Sequence, residues 1–250
     1  MRLVGTALAV LLLGACVTDR AVAPPAEPLP PPASQPASAG ASSRPLAGPT
    51  LPPPEGLETF RSTTIPGGVA CLIRLKELGV PHVTLPLQKG VLTPVRITGP
   101  INGIAYHAIA RLPLVCDCRL ALALHRAAPY LLQMGVEELH YSSAYSYRLM
   151  PSGRLSQHAM GLAIDVHRVK IKGELYDLQE DYVLGRENNC DPESPPLNRM
   201  GCLLRAWGLF DWVLTPDFDR AHRNHFHLDI YCLHRRRHPP RPAPAEVVFD

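Results

Sequence analysis

The sequence predicts an α+β fold, a small and mostly antiparallel sheet flanked by helices. Three observations carry that expectation. Cys118 to Met134 is the longest helical pattern, rich in Ala and Leu and interrupted at Pro129. Short apolar segments with strand character follow it, separated by turn residues. No internal repeat is visible, so neither a solenoid nor a propeller is expected. In chain order, Gly68 to Leu78 reads as a short amphipathic helix, because Leu72, Leu75 and Leu78 recur at three-residue spacing. Residues 82–112 alternate apolar pieces with Pro and Gly and predict irregular strands and turns. Glu138 to Tyr147 and Leu162 to Val169 read as strands, Cys202 to Leu209 as a short helix, and Phe210 to Leu214 and Asn224 to Tyr231 as further strands.

Proline usage sets the boundaries of this domain. Of 28 prolines in 250 residues, 12 fall between Pro24 and Pro54 and four follow Arg237. The middle keeps a normal load, which places a domain of roughly 180 residues at 56–233, with a basic, Pro-rich tail at 234–250. A hydrophobic content of 46% supports a sizeable core and excludes a wholly disordered chain. Net charge is only +3, which argues against nucleic acid as a partner.

The first residues predict export. Arg2 gives a short positive region, and Leu3 to Leu13 form an apolar run too short to span a bilayer stably. Leu13-Gly14-Ala15-Cys16 resembles the lipobox of bacterial lipoproteins, which implies cleavage after a signal of residues 1–15 and lipidation at Cys16. Val17 is not the aspartate that retains such proteins at the inner membrane, so the periplasmic face of the outer membrane is expected in a Gram-negative cell. Residues 16–55 then form a lipidated spacer. From Ala21 to Glu55 it lacks aromatic residues and cannot bury enough apolar surface to order itself. No transmembrane helix is expected in the mature chain.

Without Cys16, six of the seven cysteines remain, an even number that reads as disulfides in an oxidising compartment. About 15 connectivities are open. Cys190 with Cys202 is the preferred pair, closing a loop rich in Asn and Pro. A metal site at Cys116-x-Cys118 is the rival reading, weakened by the lack of a second suitably spaced pair.

Two segments carry the chemistry: Ser156-Gln157-His158-Ala159-Met160-Gly161-Leu162-Ala163-Ile164-Asp165, and His222-Arg223-Asn224-His225-Phe226-His227-Leu228-Asp229. On a strand, alternate side chains share a face, so His225, His227 and Asp229 point one way while Phe226, Leu228 and Ile230 pack behind. Two imidazoles and a carboxylate suit Zn²⁺, whose catalytic sites take three protein ligands and leave one position open. His167, His140 and Asp229 read as structural, and Met160 as core.

Ser156-x-His158-x-x-Gly161-x-Ala163-x-Asp165 resembles, at every defined position, the signature of the zinc D-alanyl-D-alanine peptidases, which belong with lysostaphin and the hedgehog pseudo-peptidase fold. His222-x-x-His225-x-His227 is similar to the motif of the second half of that site, except that His222 stands where carboxypeptidase members place Glu; the penicillin-insensitive murein endopeptidases also have a histidine there. From Cys71 to Cys232 the chain resembles the bacterial extensin-like C-terminal domain family, through Ala144-Tyr145-Ser146-Tyr147-Arg148, Ser156-Gln157-His158, and Leu214-Thr215-Pro216-Asp217. Tyr147 departs from the cysteine usual there, so that family's disulfides cannot be transferred.

The resemblance implies His158, Asp165 and His227 as zinc ligands, His225 as an oxyanion-stabilising or supporting group, His222 as the base, and Arg148 as the site of a substrate carboxylate. Ser156 is expected to bond within its turn, and Gly161 to allow close packing. Function is therefore expected to be a zinc peptidase cutting peptidoglycan stem peptides or cross-links, with an endopeptidase favoured over a carboxypeptidase. The alternative is a non-catalytic, zinc-containing lipoprotein that binds or scaffolds the cell wall.

Overall fold

Six β-strands form the larger of two sheets in the computed structural model, which describes residues 65–150 and 152–231. The expected signal, Cys16, spacer, basic tail and Cys232 lie outside the described residues. Among the described residues, no helix is long and apolar enough to cross a membrane.

Helix α1 (Gly68–Glu77) leads into β1 (His82–Thr84), β2 (Pro94–Ile97), β3 (Ala105–Ala108) and β4 (Val115–Asp117). Helix α2 (Cys118–Gln133) follows, then β5 (Val136–Ser143), a 3₁₀ turn at Gln157–Met160, and β6 (Ala163–Ile171). Next come β7 (Glu174–Asp177), α3 (Leu178–Asp181), α4 (Pro196–Ala206), β8 (Trp212–Leu214), a 3₁₀ turn at Arg220–His222 and β9 (Phe226–Asp229). The small sheet runs β1-β2-β4, all antiparallel. The large sheet runs β3-β5-β6-β9-β8, with β7 also paired to β6; only β3–β5 is parallel among its described pairings. The α+β class and mostly antiparallel sheet are as expected.

Helix α2 is the packing centre, with Leu120, Leu124, Ala127 and Leu131 all buried. Asp117 starts it. Its carboxylate accepts Arg119 N–H at 3.0 Å, the Arg119 Nε–H at 2.7 Å and, from the residue just before β2, Thr93 N–H at 3.0 Å. This buried cap joins the helix to the small sheet. Pro129 does not break α2. The His125 carbonyl that Pro129 leaves without its helical donor accepts the Asn102 side-chain amide at 3.3 Å.

Several boundaries move, each for a local reason. The helix expected at Cys202–Leu209 begins at Pro196 and ends at Ala206, because proline is well suited to a first helical turn. Strand β5 stops at Ser143, where the chain turns toward the site, instead of reaching Tyr147. The unexpected hairpin β6–β7 is closed by Lys172 and Gly173, both at positive φ, the backbone that a two-residue turn demands.

Cys190 and Cys202 are disulfide-bonded as expected, and Cys71 pairs with Cys118, fastening α1 to the start of α2. That bond overturns the Cys116–Cys118 metal reading. Cys116 is a buried thiol without a disulfide partner among the described residues, and Cys232, the sixth cysteine of the expected set, lies outside them. Burial and the neighbouring Asp117 push the Cys116 pKa up, leaving that thiol an apolar core group.

Candidate metal centre

The site is assembled from the antiparallel pair β6–β9 and the turn before β6. Asp165 and His227 are direct cross-strand partners, which sets carboxylate against imidazole. Behind them Phe226, Leu228 and Ile230 are buried, as alternation requires. His158 comes from the 3₁₀ turn. Ser156 caps that turn by accepting the His158 N–H at 3.2 Å, and Gly161 closes it at φ 67°. A Cβ on Gly161 would lie 2.6 Å from the Asp117 nitrogen, so only glycine lets the turn sit against the β4–α2 junction. The Asp117 N–H donates to the Gly161 carbonyl at 2.9 Å.

Three donor atoms converge. His158 Nε2 lies 3.1 Å from Asp165 Oδ1 and 3.2 Å from His227 Nδ1, and His227 Nδ1 lies 2.9 Å from Asp165 Oδ1. Three such atoms have three mutual contacts, but each ring nitrogen offers either one proton or one lone pair, so protons satisfy at most two. A cation among them satisfies all three. Ligand atoms about 2.1 Å from a tetrahedral metal are themselves about 3.4 Å apart, close to this triangle. The electrostatics agree. Burial opposes charge on Asp165, yet hydrogen bonds from His158 and His227 hold its carboxyl well below the usual range. Burial likewise opposes charge on His227, but Asp165 and Asp229 outweigh it and raise the ring to about 9.

Further groups surround the triangle. Asp229 Oδ2 accepts from His227 Nε2 at 3.0 Å, fixing the ring so that Nδ1 faces inward. His225 Nε2 lies 3.6 Å from Asp165 Oδ1, and its Nδ1 lies 2.9 Å from Asn224 Oδ1. Burial lowers the His225 pKa to about 4, so this imidazole is neutral near pH 7. The His222 ring centroid is 5.1 Å from that of His225 and 5.8 Å from that of His227. Asp219 accepts from His222 Nδ1 at 2.7 Å and caps the Arg220–His222 turn through the Ala221 and His222 N–H groups. His167, bonded through Nε2 to Ser142 Oγ at 2.8 Å, stacks its ring 5.1 Å from His225.

The structure thus gathers His158, Asp165, His222, His225 and His227 in one place. Arg148 is adjacent through the backbone: the Ser156 N–H donates to its carbonyl at 3.2 Å and the Ser146 N–H to that of His158 at 3.2 Å. Its side chain is exposed. Tyr145 OH donates to the Lys89 carbonyl at 3.0 Å, and Lys89 Nζ sits 4.1 Å above the Tyr147 ring, which anchors a loop beside the turn. Asp217 is structural, accepting Tyr182 OH at 3.0 Å and the Gly185 N–H at 2.6 Å. The sequence reading missed Asp219 and set Asp229 and His167 aside. Asp219 had a legible signal, an Asp three residues before a His in a capping position. Asp229 had another, the alternation that puts it beside His227.

Fold and site together define an α+β domain with a two-histidine, one-aspartate donor triangle on a sheet. The chain belongs to the family described as extensin-like protein C-terminus, whose model matches residues 81–238, more than half of its length. Comparison with curated proteins and with solved structures gives no match. Helix α1 precedes the matched region yet is disulfide-bonded to it, so the folded unit extends beyond the family boundary.

Proposed function

We propose that this chain is a zinc-dependent peptidase that hydrolyses amide bonds in peptidoglycan stem peptides or their cross-links. The carrying observation is the convergence of His158 Nε2, Asp165 Oδ1 and His227 Nδ1 within 3.2 Å of one another, with two further imidazoles alongside. Two nitrogen donors and one carboxylate fit Zn²⁺ better than the hard, oxygen-preferring Ca²⁺ or Mg²⁺. When bound, zinc would supply Lewis acidity toward a carbonyl and a water acidic enough to ionise near neutral pH.

The chain's own residues supply the rest. Asp219 holds Nδ1 of His222, leaving Nε2 as the atom that accepts and returns a proton. Neutral His225 beside it presents the lone pair of Nε2 as a hydrogen-bond acceptor. Its Nδ1 is engaged by Asn224, which favours this role over donation to an oxyanion. Arg148, beside the His158 turn, binds a carboxylate of the peptide through its planar guanidinium. His222 in the place of glutamate favours an endopeptidase. Lipidation at Cys16 and the spacer would tether the domain at the outer membrane within reach of the wall.

His222 is also the observation behind the second reading, a zinc-containing lipoprotein that binds or scaffolds the wall without cutting it. Incubating the full chain with Zn²⁺ and purified sacculi, then analysing released fragments by mass spectrometry, separates the two. The peptidase reading requires fragments cut at stem-peptide amides that disappear with His227→Ala. Fragments that persist with that variant, or none at all, refute it.

A further inference from the structure

A second donor cluster lies away from the first. Besides His158, Asp165 and His227, the described residues hold one other group of three metal-capable side chains with donor atoms within 4.8 Å: His107, Glu138 and His140. They are brought together by the parallel pairing of β3 and β5, which sets His107 directly opposite His140, with Glu138 two residues earlier on β5. Glu138 Oε2 lies 3.1 Å from His140 Nε2 and 3.4 Å from His107 Nε2, and the two rings are 5.0 Å apart at their centroids.

We infer that His107, Glu138 and His140 form a second divalent transition-metal site, taking Zn²⁺ through two imidazole nitrogens and one carboxylate oxygen. The distances from Oε2 to the two nitrogens approximate the edge of about 3.4 Å expected between ligands of a tetrahedral ion. The carboxylate is oriented in advance, because Lys170 Nζ donates to the other oxygen, Oε1, at 2.9 Å and leaves Oε2 to the histidines. Lys170 also pairs with Glu137 at 3.6 Å, so its charge is shared between two carboxylates. Two nitrogen donors select a borderline ion over Ca²⁺ or Mg²⁺. His107 is half-exposed and free to close the remaining edge, whereas His140 and Glu138 are held in the sheet; the site is therefore weaker than the first. Its ligands bridge β3 and β5, so an ion there staples the four-residue edge strand β3 to the sheet. The inference does not depend on the peptidase reading.

Equilibrium dialysis of the full chain at micromolar free Zn²⁺ tests it. Wild type should bind two ions per chain, and His107→Ala combined with His140→Ala only one, with the tight site unchanged. Glu138→Gln, which preserves shape, should weaken the second ion about 10-fold or more. Circular dichroism of each metal-free variant verifies folding. The double variant should still release fragments from sacculi as wild type does, so failure of this inference is distinct from failure of the peptidase reading. A folded double variant that binds as many ions as wild type, or a folded Glu138→Gln that binds them as tightly as wild type, overturns the second site.

Discussion

Asp165 on β6 and His227 on β9 are partners across an antiparallel pair, their Oδ1 and Nδ1 atoms 2.9 Å apart. In the metal-free protein this contact is an ion pair between a carboxyl held low and an imidazole raised to about 9. The imidazole part is fully present below the ordinary histidine value of about 6.5 and is lost as pH rises through 9. Its magnitude is about 3 kcal/mol. The carboxylate part is present above about pH 4 and is lost on further acidification. The thermal midpoint in chelator should therefore fall between about pH 6.5 and 9. Saturating zinc should abolish the fall, because deprotonation of His227 then favours the bound ion. Scanning fluorimetry across that range checks both.

Asp229 orients His227 through Nε2. Asp229→Asn removes the charge while keeping an oxygen acceptor, and should weaken zinc binding at the first site by about 10- to 100-fold. Competition with a chromophoric chelator measures this.

His222 is assigned the proton transfer. His222→Ala should lower kcat by about 100- to 10,000-fold with zinc content unchanged. His222→Glu should restore part of the rate, since a carboxylate held at that place can also accept and return the proton. Fragment release from sacculi as a function of pH is the readout.

Gly161 connects fold to site. An alanine there would hold an L side chain at φ 67° with its Cβ against the Asp117 nitrogen. Gly161→Ala should destabilise the domain by about 1–3 kcal/mol in urea unfolding and displace His158, so zinc affinity falls in the same variant. Gly153→Ala, where nothing stands near the new Cβ, is the control: it should leave zinc affinity intact.

The parts legible in the sequence were those written locally. Helix α2 announced itself through its Ala and Leu pattern, and alternation around Phe226 and Leu228 placed His225 and His227 on one face. What required the fold was contact between distant segments. The register that sets Asp165 against His227 joins strands far apart in the chain, and Asp219 and Asp229 acquired their roles only with the rings they hold. His107 could not be linked to His140 from spacing, because a parallel pairing of β3 with β5 brings them together. Counting cysteines left the pairing of Cys71 with Cys118 open, because the contact of α1 with the start of α2 that brings them together is a product of the fold.

Diffraction from crystals of the zinc-loaded chain, recorded at the zinc absorption edge, tests the central claim most directly. The account predicts an anomalous peak within bonding distance of His158 Nε2, Asp165 Oδ1 and His227 Nδ1 together. A zinc-loaded crystal with no peak among those three atoms contradicts it.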